Sequence, residues 1–559
     1  MRAALLSVTL SSVLLAAPLS AKAPQQADIK VESNLVLVDL VALDSAGRPV
    51  TDLRSDEIEV SEDGKRVAIS FFQQRHPGFE QPIDPPIDPG GTGRGEAGDA
   101  GELLVFLIDL PSLRPADLPR IKDAVQSFVQ SERRANDTLM LAATGVSASQ
   151  PPTRNAAEFL AVLNKLPAIE GSASRLVRFA AELERLLAFA RASDMREQDV
   201  TRQAIDLGRR YIAEEEELTR LAADRAIALV REIGSLPGRK TVLYFSGGYR
   251  RRIGMAIQEL LLRVLPDVRF PDLDSTHVWI RSLLGGPPSA SRLDALVRSI
   301  IEEANRAQVS FYTADGRGLM AREDARLGAL ARYADQLVRD DISQPHDFLK
   351  DVASSTGGRC FLNTNDLQTG LRAAYQDASE HYELGYVPPH GSESGALHEI
   401  DVKVRRPHVT IIHRQSYSVP VAEDAERRSI ENAFRFPVLF QEFPFEVDTL
   451  PRDGKLKVDV FVPVRALVFT QQADRHKCEL AVHMALFDSA GKLYQEKILF
   501  SKTYHIDFNE TQFTGLANID NLTTAYEGAV TPGEYRLRVV VRQPMSSKTA
   551  ALERRITVP

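Results

Sequence analysis

Four oxygen-bearing side chains lie next to predicted strands or helices, at positions where open α/β sheets bind their ligands. Asp109 directly follows the apolar run Leu103–Ile108, and Ser112 lies in the turn after it. Ser246 follows a second apolar run, and Thr153 precedes a predicted helix. The carboxyl ends of parallel strands share one edge of a sheet, where the ligands of such folds bind. We therefore expect Asp109, Ser112, Thr153 and Ser246 to form a ligand-binding rim.

The chemistry open to these four residues is limited. A hard divalent cation needs several oxygen ligands, preferably charged ones, and one carboxylate with a few hydroxyls makes a poor site. The alternative role for Asp109 is to cap the following helix by accepting bonds from backbone N–H groups. The chain has no HExxH, GxSxG or Walker motif, and its Gly-rich run at 90–95 precedes the first strand of the α/β segment. The sequence therefore predicts no catalytic residue, no bound metal and no cofactor.

The composition predicts an exported protein of several domains. The chain has 559 residues, too many for one core, and its net charge of −8 argues against a nucleic-acid partner. Its two cysteines, Cys360 and Cys478, exclude a disulfide framework and a cysteine zinc site. Residues 1–23 combine Arg2 with an apolar stretch and small residues, a signal-peptide pattern; an uncleaved anchor is the alternative. No later stretch predicts a membrane span.

Hydrophobic periodicity divides the first two thirds of the chain into three segments. Alternating runs predict a β module at 27–75, and a Pro- and Gly-rich linker follows at 76–102. Residues 103–388 alternate strands with helices, which predicts a doubly wound, mostly parallel, Rossmann-like α/β sheet. Its predicted strands are Leu103–Ile108, Thr138–Ala143, Thr241–Phe245 and Val309–Thr313.

Three further segments complete the predicted organisation. Helical spacing over 172–233 predicts a helical hairpin inserted into the α/β domain and projecting from its sheet. The acidic run Glu214–Glu217 within it is interpreted as a solvated helix face. Residues 398–418 predict a β segment that pairs with the N-terminal module. Regularly spaced alternating strands over 430–559 predict an immunoglobulin-like β-sandwich.

Several short strings carry a family resemblance. In chain order they include Val50-Thr51-Asp52-Leu53, Tyr244-Phe245-Ser246-Gly247-Gly248, Phe311-Tyr312-Thr313-Ala314-Asp315, Thr356-Gly357-Gly358-Arg359 and His381-Tyr382-Glu383-Leu384-Gly385-Tyr386. Together, over roughly residues 30–418, they resemble the bacterial VWFA-related domain family of von Willebrand factor type A (VWA)-like proteins, first described in acidobacteria. The resemblance implies a VWA fold in a secreted protein and little about biochemical activity.

The resemblance also implies where a metal site would lie. In this family the sequence Asp-x-Ser-x-Ser follows the first strand. A Thr from a second loop and an Asp after the fourth strand complete the metal site. The corresponding sequence here is Asp109-Leu110-Pro111-Ser112-Leu113, so Pro111 and Leu113 stand where the family has its two serines. Thr153 is the candidate for the second-loop Thr, and Ser246-Gly247-Gly248 lacks a carboxylate. The metal-ion-dependent adhesion site is degenerate, and we expect no divalent cation to bind there.

These features together predict a secreted or periplasmic, non-enzymatic protein. We expect it to bind an unknown protein partner at the cell envelope, with no nucleic acid and no membrane span after signal cleavage. Two alternatives stay open: an enzyme or enzyme subunit of the envelope with an unrecognised site, and a structural scaffold. Perturbed titratable residues in a deep pocket would favour the enzyme. An exposed apolar patch on the rim or the hairpin would favour partner binding.

Overall fold

The computed structural model describes residues 36–75, 101–193, 195–237, 239–250, 253–265, 288–319, 335–389, 396–418, 422–452, 454–472, 475–488, 491–516, 519–546 and 548–559. The predicted signal peptide and most of the 76–102 linker lie outside these residues. The described part of the chain is mixed α/β, with several sheets and helices in more than one domain. The predicted general class is therefore confirmed.

Two four-stranded sheets share one apolar core. Their strands come from the predicted N-terminal module, from the predicted 398–418 segment and from His381–Tyr386. Their strands are β1 (Val36–Leu43), β2 (Ile58–Glu62), β3 (Lys65–Val67), β4 (Ile69–Arg75), β11 (His381–Tyr386), β12 (Leu397–Val404), β13 (Thr410–His413) and β14 (Ser416–Ser418). The orders are β13-β1-β11-β4 and β14-β12-β2-β3. Strand β12 pairs antiparallel with β2, and β13 pairs antiparallel with β1.

Strand β11 lies within the segment predicted as the α/β domain but belongs to the N-terminal sheets. The prediction placed it near the end of the α/β segment 103–388, but it pairs with β1 and β4. The reason is its alternation: Tyr382, Leu384 and Tyr386 bury in the core of the N-terminal sheets. Apolar residues at every second position, all buried on one face, are typical of a strand in an antiparallel sheet.

A six-stranded sheet forms the centre of the α/β region. Its strands are β5 (Leu103–Asp109), β6 (Thr138–Thr144), β7 (Ser149–Thr153), β8 (Lys240–Ser246), β9 (Val309–Asp315) and β10 (Cys360–Phe361). The order is β10-β9-β8-β5-β6-β7, with all pairs parallel except β6–β7. Strand β7 contains two prolines, Pro151 and Pro152, which an edge strand tolerates because proline lacks an N–H group.

Helices cover both faces of this sheet, and its four central strands, β5, β6, β8 and β9, are buried on both sides. The helices are α1 (Leu118–Ser131), α2 (Ala156–Asn164), α3 (Ser172–Ala192), α4 (Glu197–Gly234), α5 (Ile253–Val264), α6 (Pro288–Arg306), α7 (Asp335–Ser355) and α8 (Leu367–Ser379). Alternate residues of β5 enter opposite cores. One core holds α1, α2 and α8, and the other holds α6, α7 and the second half of α4.

The predicted insertion at 172–233 is only partly a separate hairpin. Helices α3 and α4 do pair antiparallel, and with α5 they form an apolar core of their own. The second half of α4, however, packs Ala226, Leu229 and Ile233 directly against the central sheet. The prediction of a pair projecting from the sheet is therefore wrong for this half, because its apolar stripe supplies one of the covering layers of the sheet.

The C-terminal region consists of two antiparallel sheets around one core. The strands are β15 (Glu446–Arg452), β16 (Lys455–Pro463), β17 (Thr470–Gln472), β18 (Arg475–Phe487), β19 (Phe500–Asn509), β20 (Asn521–Ala529), β21 (Gly533–Gln543) and β22 (Lys548–Val558). One sheet has the order β15-β16-β20. The other has the order β17-β18-β21-β22, with β19 on β18. Two short helices flank these strands, α9 (Ala422–Arg435) and α10 (Glu510–Gly515).

The C-terminal sheets join the α/β core through α9 and the segment after it. Phe434, Phe436 and Phe440 belong to the same apolar cluster as the sheet-facing half of α4. Cys360 lies in the α/β sheet and Cys478 in the C-terminal core, and both carry free thiols. Among the described residues, no helix combines the length and the apolar character that crossing a membrane requires.

Candidate functional site

The central sheet has its topological switch point between β5 and β8. Counted along the chain, its strand order is the doubly wound 3-2-1-4-5-6, and such sheets bind ligands where the order reverses, beyond the carboxyl ends of the strands. The register brings the last residues of four neighbouring strands into one row: Thr144, Asp109, Ser246 and Asp315. The polar residues at this edge are therefore positioned by the parallel pairing itself.

Asp109 lies at the centre of the row and is fully buried, with 0% of its surface exposed. One carboxylate oxygen accepts a hydrogen bond from the Thr144 hydroxyl at 2.5 Å. The other accepts from Ser246 Oγ at 2.8 Å and from Tyr244 OH at 3.3 Å. Burial raises the pKa of Tyr244 well above its usual value, and the Asp109 carboxylate adds to the shift. The Tyr244 hydroxyl therefore stays protonated and can donate.

Ser112 joins the turn after β5 to the turn after β8. Its Oγ donates to the Asp109 carbonyl oxygen at 2.8 Å, lies 3.0 Å from Ser246 Oγ and accepts from Gly247 N at 2.7 Å. Gly247 is needed for this approach, since a Cβ there would lie 2.2 Å from the Ser112 carbonyl oxygen. The Asp109 side chain makes no capping bond to the 3₁₀ turn that follows it. The alternative role of Asp109, as a cap of the helix that follows it, is therefore not observed.

Thr153 does not belong to the site. It pairs with Leu139 near the start of β6, whereas Thr144 ends that strand. Leu139 and Thr144 are five residues apart along β6, which corresponds to about 16 Å at 3.3 Å per residue. The Thr153 hydroxyl instead donates to Glu158 at 3.2 Å. The structure thus joins three of the four predicted rim residues and puts Thr144 where Thr153 was expected.

A second carboxylate at this edge, Asp315, is paired within the protein. Arg317 Nε donates to its Oδ1 at 2.9 Å, and His346 Nε2 lies 2.8 Å from its Oδ2. Burial acts to raise the pKa of Asp315, but the His346 hydrogen bond and the Arg317 guanidinium outweigh burial and lower it below its usual value. Both partners are buried. Asp315 is therefore ionised and already neutralised.

A third buried carboxylate approaches the same edge from α4. Glu215 accepts from Arg175 Nε and from Ser172 Oγ, the latter at 2.6 Å, and Arg250 lies 3.9 Å away. Arg175 also donates to the Pro111 carbonyl oxygen at 3.2 Å, which connects the pair to the turn after β5. The interpretation of the whole Glu214–Glu217 run as a solvated face is wrong for Glu215, which is 5% exposed.

Two of the buried carboxylates at this edge are neutralised by buried guanidiniums. Arg317 pairs with Asp315, and Arg175 pairs with Glu215, with Arg250 close by. Both oxygens of Asp109 are taken by neutral hydroxyl donors. A divalent cation prefers several anionic oxygens and would meet the arginines as like charges. The residues present therefore do not fit the metal site that the family resemblance implies.

The rim is also closed to solvent. Ser112 and Ser246 are buried together with Asp109, and so are Leu110 and Pro111 in the turn above them. A site that turns over a substrate needs an accessible, unpaired group. The cluster around Asp109 has the polar residues of a site, but these residues are buried.

Sequence reasoning missed four participants, of which three had usable signals. Thr144 and Asp315 end apolar runs just as Asp109 does, so the same rule would have found them. Glu215 lies four residues from both Tyr211 and Thr219, which places it on the buried face of α4. His346 carries no local signal, because only the fold brings α7 to the end of β9.

Comparisons with known proteins found no relative: no protein-family model matches the chain, and no curated protein matches it significantly.

Proposed function

We propose that the chain is a secreted, non-enzymatic binding protein built on a VWA-like domain whose metal site has become a closed structural network. The doubly wound strand order supports the α/β part of this proposal. The same order also occurs in dinucleotide-binding domains, but the turn after β5 reads Asp109-Leu110-Pro111-Ser112-Leu113 and has no phosphate-binding glycines. The two C-terminal sheets with one shared core support an immunoglobulin-like sandwich.

One observation carries the functional part of the proposal: the Asp109 carboxylate is buried, and both of its oxygens accept hydrogen bonds from inside the protein. A catalytic acid, base or nucleophile has to reach a substrate, and Asp109 is fully buried under three hydroxyl donors. A metal-dependent adhesion site has to offer an open coordination position. Neither use is compatible with this cluster, so the binding surface lies elsewhere.

The end of the α3–α4 pair supplies such a surface. Phe189, in the last turns of α3, is 63% exposed, and the neighbouring Ala188 and Ala192 are exposed as well. An aromatic side chain held on a rigid helix loses little entropy on binding and is a typical anchor in protein interfaces. We assign the partner as an envelope protein with an apolar pocket for Phe189, in line with the predicted export signal.

A photocrosslinking experiment tests this function. Benzoylphenylalanine is placed at position 189 in the exported full chain, with position 450 as the control. Leu450 is 61% exposed on β15 and so matches Phe189 in exposure. Irradiation of cell envelopes should give one discrete adduct from position 189, of equal yield in Mg²⁺ and in EDTA. An adduct that requires Mg²⁺, or the same adducts from both positions, would overturn the proposal.

A further inference from the structure

A His–carboxylate cluster lies at the β2–β3 hairpin of the N-terminal sheets, far from the Asp109 network. Glu62 ends β2, Asp63 begins the turn, and His398 lies near the start of β12. In the β2–β12 register Glu62 is opposite Ile400. Opposite residues share a face of the sheet, and so do residues two apart, so Glu62 and His398 lie on the same face. Asp63 reaches them because it turns with a φ of +48°.

The three side chains converge closely enough to share one ion. One carboxylate oxygen from each acid and one imidazole nitrogen of His398 all lie within 4.8 Å of one another. His398 Nδ1 is 2.8 Å from Asp63 Oδ2. Ligands around a tetrahedral Zn²⁺ at about 2.1 Å are about 3.4 Å apart, so contraction by roughly an ångström would complete the set.

One oxygen of Glu62 makes no hydrogen bond of good geometry within the described residues. The residue is 0% exposed, its Oε2 accepts from Tyr417 OH at 3.0 Å, and its Oε1 has no hydrogen-bond partner. Lys65 is its register partner across the hairpin, but no ion pair between Glu62 and a lysine or arginine is described. The buried hydroxyl of Tyr386 lies beside Glu62 and interacts with it, but not with the geometry of a good hydrogen bond. A buried carboxylate left half-satisfied is costly, so the arrangement calls for a cation.

A second triad shows what a self-compensated cluster looks like. Asp39, His381 and Glu383 also converge within 4.8 Å. Arg75, however, pairs with Glu383 at 3.1 Å. Burial acts to raise the pKa of Asp39, yet Arg239 and its neighbours lower it. Guanidinium groups thus take the place of a metal in that triad, whereas no guanidinium is described as paired with Glu62.

We propose that Glu62, Asp63 and His398 form a divalent transition-metal site, with Zn²⁺ as its best-fitting ion. An imidazole with two carboxylates suits Zn²⁺, whereas Mg²⁺ and Ca²⁺ prefer oxygen alone. Three protein ligands leave one position for water, and Asp63, with 37% of its side chain exposed, provides access from solvent. The bound ion would link the β2–β3 hairpin to β12, 336 positions away in sequence. This metal site does not depend on the binding function proposed above.

Calorimetric titration of the chelator-treated full chain with ZnCl₂ tests the site. The expected result is one strong site per chain, together with a rise in melting temperature. His398→Gln and Glu62→Gln should each weaken binding by at least about tenfold, since loss of even an outer-shell partner costs that much. Co²⁺ bound in place of Zn²⁺ should give a visible absorption band that both variants lose.

His505→Gln is the matched control, because His505 pairs with Glu479 at 3.1 Å on the surface without a third ligand. This variant should bind Zn²⁺ as the natural chain does. If Glu62→Gln fails to fold by circular dichroism, Asp63→Asn takes its place. The proposal is overturned if the natural chain gives no Zn²⁺ heat at 100 μM, or if His398→Gln keeps full affinity.

Discussion

Replacement of Glu215 by glutamine should be among the most damaging single changes in the α/β region. Glu215→Gln keeps the shape of the side chain but removes the charge that faces Arg175, which is 3% exposed. Arg175 then keeps only neutral acceptors, namely the carbonyl oxygens of Pro111 and Glu170 and the new amide oxygen. Removing one partner of a buried ion pair costs about 3–5 kcal/mol, because the remaining charge stays buried without compensation.

The same helix offers a control of identical chemistry. Glu217 pairs with Arg220 at 2.6 Å, but both side chains are about half exposed. Such surface pairs contribute about 0–1 kcal/mol, so Glu217→Gln should be nearly neutral. Urea unfolding followed by circular dichroism at 222 nm measures both free energies. A double variant, Glu215→Leu with Arg175→Met, should recover much of the loss, since apolar replacement of a whole buried pair is often tolerated.

The outcome that would refute this reasoning is an equal, small effect of Glu215→Gln and Glu217→Gln. It would mean that Arg175 finds water or another acceptor when Glu215 is neutral. The charge pairing inferred at the switch point would then not hold, and an added cation near Asp109 would again be physically reasonable.

Three further predictions concern backbone approach, pH and thiols. Gly247→Ala should destabilise the fold by about 1–3 kcal/mol through overpacking, because the new Cβ meets the Ser112 carbonyl oxygen; thermal unfolding measures this. Burial, with the cationic groups nearby, lowers the pKa of His381 to about 4. The unfolded chain binds this proton below about pH 6.5, so stability should fall between pH 6.5 and 4, and His381→Gln should flatten that part of the curve. Burial raises the pKa values of Cys360 and Cys478 to about 11, so both thiols should react with Ellman's reagent only after unfolding.

Each of these has a result that would contradict it. Gly515→Ala, where no atom lies within 4 Å of the new Cβ, should be tolerated, and an equal loss at both glycines would remove the steric explanation. A pH–stability curve unchanged by His381→Gln would mean that other groups produce the acid limb. Rapid thiol reaction in the native chain would show that Cys360 or Cys478 is more accessible than its burial implies.

Periodicity alone located most of the central sheet, because buried parallel strands must be continuously apolar. All four predicted strands begin within one residue of the observed ones. Each was predicted to end too early, before Asp109, Thr144, Ser246 or Asp315. A polar residue in isolation predicts a strand end, yet these four stay in the sheet because groups on neighbouring elements satisfy them. That compensation is tertiary and cannot be found in a local window.

The sequence by itself determined the apolar faces of the strands and helices and the loss of the Asp-x-Ser-x-Ser pattern. Both follow from local spacing and from which residues are present. Only the tertiary structure decided which polar groups meet. It buried Glu215 but exposed Glu217 on the same helix, and it brought His398 beside Glu62. Contacts between residues hundreds of positions apart depend on how the sheets pair, and no pattern of neighbouring residues encodes that pairing directly.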